Sequence, residues 1–113
     1  MYYKGYGINQ DYKQAFRWCR KAAEQKNATG QNNLGEIYYY GYGVNQDYKQ
    51  AIKWYRKAAE QGNSTGQANL GYMYEKGYGV TKDLSKAISL YRQAAHQGYT
   101  IAQSNLKRLG YTW

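Results

Sequence analysis

The pentapeptide Gly41-Tyr42-Gly43-Val44-Asn45 decides the reading of this chain, because it stands at 5–9 as Gly-Tyr-Gly-Ile-Asn and at 77–81 as Gly-Tyr-Gly-Val-Thr. Both intervals, 41 − 5 and 77 − 41, are 36 residues. A fixed period of that size marks a repeat array in which stacked units share one core. Residues 5–40 and 41–76 agree at 25 of 36 positions, and 77–112 agree with the second copy at 16. The divergence concentrates after Tyr99, where a terminal unit changes character to cap the stack.

Each unit carries two helical patterns. The longer, helix B, is expected from about Asp47 to Gln61, with copies from Asp11 and Asp83. Tyr48, Ala51, Ile52, Tyr55, Ala58 and Ala59 follow i, i+3, i+4, i+7 spacing and form one apolar stripe. Asp47 with Gln50, and Asp11 with Gln14, have the form of a capping box, whereas Asp83 is followed by Lys86. Gly62 and Gly98 stand where a left-handed C-cap is wanted, and Lys26 fills that slot in the first copy. Shorter helix A is expected from about Ser64 to Tyr74, with Gly35 and Gly71 admitting a close neighbour. Gly77 and Gly79 then supply positive φ before Val80 enters the core. Short connections make each A–B pair an antiparallel hairpin. The fold class is all-α, a solenoid of helix hairpins, divided as a partial repeat (1–26), full repeats (27–62 and 63–98) and a capping helix (99–113). The chain opens within a repeat, so its first helix B is expected to be thinly covered, with fraying or self-association there.

The 113 residues hold 16 Tyr, one Phe, 13 Gly and no Pro. Tyrosine buries a ring and keeps a polar tip wet, which suits interfaces as well as cores. The formal charge is +9, which favours an acidic partner. Cys19 is alone in the sequence, so no intrachain disulfide forms. No stretch approaches the ~18 apolar residues of a membrane span. There is no basic-then-apolar leader, and the compartment stays open: cytoplasmic or, for a processed or trimmed chain, periplasmic or secreted.

The residues Gln31, Leu34, Gly35, Tyr38, Gly41, Gly43, Val44, Asp47, Ala51, Trp54, Tyr55, Ala58, Ala59 and Gly62 resemble the Sel-one-like repeat, a relative of the tetratricopeptide repeat. The next copy supplies Gln67, Leu70, Gly71, Tyr74, Gly77, Gly79, Val80, Asp83, Lys86, Ala87, Tyr91, Ala94, Ala95 and Gly98. Asn45 and Thr81 stand where proline is frequent in that family. Gly30 and Gly66 replace its usual Ala, a change expected to weaken helix A by up to about 1 kcal/mol each. Leu90 replaces the helix B Trp, and Lys107 replaces a helix A Gly. The resemblance implies a right-handed α/α superhelix with helix A on the concave side, and adaptor or binding work. Known members include secreted, periplasmic and virulence-linked bacterial proteins and scaffolds of eukaryotic degradation machinery. A fold alone names no partner.

No catalytic constellation or cofactor site emerges. His96, the single histidine, ends a helix B, where the negative helix pole accounts for it. Cys19 falls on the apolar stripe with no histidine placed to activate it, and the pair makes no zinc site. The GxG loops lack the following Gly-Lys-Ser/Thr of a phosphate loop. The expectation is a non-enzymatic module.

Two surfaces remain. By analogy with the tetratricopeptide fold, the concave groove takes Thr29, Asn32, Glu36, Tyr39 and Tyr40, then Thr65, Ala68, Tyr72, Glu75 and Lys76. Tyr3, Lys4, Ser104 and Arg108 complete it at the ends. This mixture of rings and adaptable polar groups suits a protein segment. Tyr6, Tyr42 and Tyr78 form a second row, which lies over the loops or offers a stacking ladder. On helix B, Lys13, Arg17, Arg20 and Lys21, with Lys49, Lys53, Arg56 and Lys57, make a basic stripe at three- and four-residue spacing. That stripe offers an electrostatic route to nucleic acid or an anionic surface, although no nucleic-acid motif is present. Self-association into a scaffold is the remaining alternative.

Overall fold

The structure is a computed structural model and describes residues 9–113. Six helices follow one another: α1 (Asn9–Glu24), α2 (Ala28–Tyr40), α3 (Tyr48–Glu60), α4 (Ser64–Lys76), α5 (Leu84–His96) and α6 (Thr100–Leu109). Odd-numbered helices are the B type and even-numbered ones the A type. No strand occurs among the described residues. The stack measures 42 × 24 × 23 Å. Each helix packs chiefly on its neighbours in sequence, and α2 also touches α4. Two A helices therefore lie side by side along the stack.

The expected stripe of helix B is the buried one. Ala51, Ile52, Tyr55 and Ala58 are buried on α3, as are Ala87, Ile88, Tyr91, Ala94 and Ala95 on α5. Asp47 and Asp83 cap α3 and α5 by accepting from the Gln50 and Lys86 backbone N–H groups, at 3.1 and 3.0 Å. The reciprocal half of the Asp47 box does not form. The Asp47 N–H donates instead to the Tyr38 carbonyl, 2.9 Å away, and Asp83 does the same to Tyr74. α1 begins at Asn9, so Asp11 lies in its first turn and is not its cap. There the carboxylate still meets the positive helix pole.

The A helices carry caps of their own. Asn27 and Asn63 accept from Gly30 and Gly66 N–H at 2.8 and 2.7 Å. Tyr99 occupies the third such slot with no side-chain cap. Lys26 adopts φ 66°, the conformation that Gly62 takes at 84° one period later.

Gly30 and Gly66 are required, which corrects the expectation that alanine would serve better. A Cβ at Gly30 falls 2.6 Å from Ala22 Cβ and one at Gly66 falls 2.7 Å from Ala58 Cβ, with helix B backbone just behind. Helix A of one unit and helix B of the unit before it approach too closely there for a methyl group, so packing overrides helix propensity.

Glutamines tie helix A to the end of helix B within each full unit, and Gln61 also reaches the preceding unit. Gln61 Nε2 donates to Gln31 Oε1 at 2.8 Å and to the Lys26 carbonyl at 2.9 Å, and Gln97 repeats the first of these to Gln67. These bonds satisfy polar groups at an otherwise apolar junction, where an unpaired amide would be expensive. The Met1–Lys4 segment and the first Gly-Tyr-Gly loop lie outside the described residues.

Candidate functional site

The face of α2 and α4 holds a hollow of about 170 Å³ lined by Glu36, Tyr39, Tyr40, Tyr55, Asn69, Tyr72 and Met73. Four of these seven stood in the expected groove. Tyr55, Asn69 and Met73 did not: Tyr55 is a buried helix B position and Met73 a buried core position, visible as a floor only once the hairpins pack, while Asn69 is a partly buried residue of α4 itself.

Its rings are fixed by other rings. Tyr39 meets Tyr40 edge-on at 4.8 Å and lies 5.4 Å from Tyr48 and 6.4 Å from Tyr78. Tyr72 meets Tyr78 at 6.1 Å, and the Lys76 ammonium stands 5.6 Å from its centroid. The loop tyrosines are structural clamps: Tyr42 stacks on Tyr12 at 5.1 Å and Tyr78 on Tyr48 at 5.0 Å. Tyr42 also stacks on Tyr40 at 5.0 Å. Offset and edge-on pairs of this kind each add about 1 kcal/mol beyond burial. Burial, reinforced by the neighbouring phenols, pushes the Tyr39 hydroxyl up to about 12, so it stays a neutral donor.

Other expected groove residues serve the fold. Ala68 is buried in the α5–α6 core cluster. Asn32 is buried, its Oδ1 accepting from Asn69 Nδ2 at 2.8 Å. Glu75 is buried as well, taking the Tyr91 hydroxyl at 2.7 Å, Arg108 at 2.8 Å and Lys76 at 3.6 Å. Thr29, Tyr40, Lys76, Ser104 and Arg108 are exposed, and Thr65 is half-buried. Tyr3 and Lys4 lie outside the described residues.

Burial raises the Glu75 carboxyl, but hydrogen bonds from Arg108 and Tyr91 and the charges of Arg108 and Lys76 outweigh it, holding it below the ordinary carboxylate value. A carboxyl whose pKa is lower folded than unfolded stabilises the fold above the unfolded value. That stabilisation disappears as pH falls through the folded value. The melting temperature is therefore expected to drop as pH goes below 4.5. Thermal scans at a series of pH values should show Glu75→Gln flattening that drop. An unchanged slope would exclude Glu75 as its source.

All eight basic-stripe residues are exposed, but several are engaged. Arg20 pairs with Glu24 at 3.2 Å, Lys53 and Lys57 flank the Trp54 ring at 5.1 and 5.8 Å, and Arg56 donates to Tyr74 Oη at 2.9 Å. Cys19 is buried, and burial together with the nearby Glu36 charge raises its thiol to about 11. A thiol so poised is a poor nucleophile. His96 is exposed, with its Nε2 against the Trp113 carbonyl oxygen. Among the described residues no group of His, Cys, Asp or Glu is arranged to hold a metal ion. No helix of the described residues is long and apolar enough to cross a membrane.

The Sel1 repeat family matches the chain at residues 1–27, 28–63 and 64–99. Among curated proteins none gives a significant match. A Sel1 repeat protein from Oxalobacter formigenes superposes with a TM-score of 0.82 at 42% identity, over 93% of this chain and 43% of that one. The c5321 protective antigen present in uropathogenic Escherichia coli strains gives 0.80 at 41% identity, over 83% of this chain and 20% of its own. Cysteine-rich protein B of Helicobacter pylori gives 0.78 at 30%, over 83% and 71%. The chain thus spans about a fifth of the c5321 antigen's length and under half of the Oxalobacter protein's. Sel1-repeat proteins act in general as protein–protein interaction modules and non-catalytic scaffolds. With three matched repeats, six antiparallel helices and these neighbours, the chain belongs to the Sel1-repeat family.

Proposed function

We propose that this protein is a non-enzymatic adaptor that holds a segment of a partner protein against the tyrosine face of α2 and α4. The observation that carries this reading is the hollow itself, whose Tyr39, Tyr40 and Tyr72 rings are held in place by neighbouring rings before any ligand arrives. Rings already immobilised lose little freedom on binding, so more of the contact energy becomes affinity. Asn69, Lys76 and the tyrosine hydroxyls offer hydrogen bonds around them. The formal charge of +9 favours an acidic segment. A host-interaction role, or an immunity-like role beside a toxin, is part of this proposal; of these, the first is in keeping with similarity to a protective antigen present in uropathogenic strains.

The test is affinity capture from source-organism lysate with wild type beside a Tyr40→Ala/Tyr72→Ala variant. Both positions are chosen because Tyr40 is exposed and Tyr72 half-buried, leaving the core intact. Loss of the captured protein by at least roughly tenfold is expected for anchor residues of this type, from a variant whose circular dichroism shows it folded at the capture temperature although the lost ring pairs lower its melting temperature. Equal recovery by both proteins would exclude this face and move the binding to the basic stripe of the B helices. Capture of nucleic acid that salt releases would point to the same stripe.

A further inference from the structure

Trp54 and Leu90 occupy the same place in successive repeats, one period of 36 residues apart. Trp54 packs over the first core cluster, Cys19, Ala23, Leu34 and Ile37, and so fills the notch between α1 and α3. Leu90 packs on a second cluster, Ala51, Ile52, Tyr55, Leu70 and Met73, from the corresponding place. Its side chain is far smaller than an indole, and the notch between α3 and α5 stays open as a hollow of about 330 Å³. That volume lies at the small end of the range for ligand sites.

The hollow has room for a ring and carries charge on its rim. Leu70, Tyr74 and Leu90 give it an apolar floor, and Arg56 and Lys86 border it together with Glu60. Arg56 Nη2 donates to Tyr74 Oη at 2.9 Å, and the Lys86 ammonium lies 5.1 Å from the Tyr74 ring centroid. Both cations are thereby held at the same tyrosine, Arg56 at its hydroxyl and Lys86 over its ring, beside the space an incoming side chain takes. In the filled notch the ring is flanked by Lys53 and Lys57, whereas the open one has the neutral Ser89 and Gln93 there. Cationic surroundings at the open notch therefore come from Arg56 and Lys86, against the single carboxylate of Glu60.

We propose that this notch is a second binding site, separate from the tyrosine face, which takes an aromatic side chain from an acidic peptide segment. The ring enters where Trp54 lies one repeat earlier, over Leu70, Tyr74 and Leu90. Flanking carboxylates meet Arg56 and Lys86, which draws opposite charges together at a partly desolvated rim.

The experiment is a titration of the full chain, followed by amide and methyl NMR shifts, with the peptide Ac-Glu-Asp-Trp-Glu-NH2. Saturable shifts are expected at Ala59, Leu70 and Leu90. Binding should weaken by roughly tenfold or more when alanine replaces the peptide tryptophan or lysines replace its acids. Leu90→Trp should abolish binding by filling the notch from within, with a melting temperature at or above that of wild type to show that the fold is kept. Arg56→Gln/Lys86→Gln should weaken binding without filling the space. Undiminished binding to Leu90→Trp, equal binding of the tryptophan-free peptide, or shifts centred on Tyr40 and Tyr72 would each overturn the proposal.

Discussion

Replacing Tyr91 by alanine is expected to lower the free energy of unfolding by about 4 kcal/mol, the range for large aromatic-to-alanine changes in a core. Tyr91 is fully buried. The cluster around it is built mostly from Ala68, Ala87, Ala94, Ala95 and Ala102, with Leu106 and Ile88. Methyl groups on fixed helices have no reach to fill the space a phenol ring leaves. The cavity would therefore persist, which keeps the loss within that range instead of below it. The hydroxyl adds a second consequence, since Glu75 Oε1 would lose a donor at 2.7 Å while remaining buried. Tyr91→Phe isolates that part. The ring stays and Arg108 still serves Glu75, so a loss of about 1 kcal/mol is expected. Against a typical total of about 5–15 kcal/mol the alanine change is severe. Because repeats hold only their neighbours, α4–α6 should lose hydrogen-exchange protection before α1–α2 does. Urea denaturation supplies the energies, and a loss below about 1.5 kcal/mol for Tyr91→Ala would show that the helices close over the gap.

The second large effect belongs to Gly79, and it separates two costs that a left-handed position can carry. Gly79 has φ 74°, and a Cβ there falls 2.9 Å from Tyr48 Cβ and 3.0 Å from Ile52 Cδ1. Gly62 has φ 84° with open space around it. Gly62→Ala should therefore cost only the backbone preference, about 1 kcal/mol. Gly79→Ala should add overpacking against α3, for a total of about 3 kcal/mol. Lys26, at φ 66° in the slot of Gly62, shows that the backbone cost alone is tolerated. Chemical denaturation of the two variants side by side decides the matter, and equal losses would refute the contribution of the Tyr48 contact.

The contrast between those glycines marks what was legible in the sequence. A 36-residue period and the Ala51, Ile52, Tyr55, Ala58 stripe displayed the helices, their order and their buried faces, since these follow from spacing along one chain. Left-handed glycines were equally legible, because they follow from a helix ending. Distances between helices were not. Gly66 reads as a weak helix former until α3 is seen within a methyl group of it, and Ala68 reads as groove lining until α5 and α6 close over it. Glu75 likewise appeared as a surface acid. Its partners Tyr91 and Arg108 lie 16 and 33 residues away and become neighbours only when the last hairpin docks. At the tyrosine face, Glu36, Tyr39, Tyr40 and Tyr72 were legible by position on helix A, but the pinning of their rings by Tyr48 and Tyr78 required the packed hairpins. The Asn27 and Asn63 caps are a different case, since a capping residue directly before a helix is a local signal that the sequence does carry.

The three indoles differ in a way with an optical consequence. Trp18 and Trp113 are 69% and 48% exposed, whereas Trp54 lies against the first core cluster with two ammonium groups beside it. Acrylamide, a neutral quencher, would therefore reach the first two emitters more readily and leave a blue-shifted remainder that belongs to one junction of the stack. With both exposed indoles changed to phenylalanine, the 16 tyrosines of the chain would become energy donors to a single acceptor. Excitation at tyrosine wavelengths would then report, through Trp54 alone, whether α1, α2 and α3 are still together.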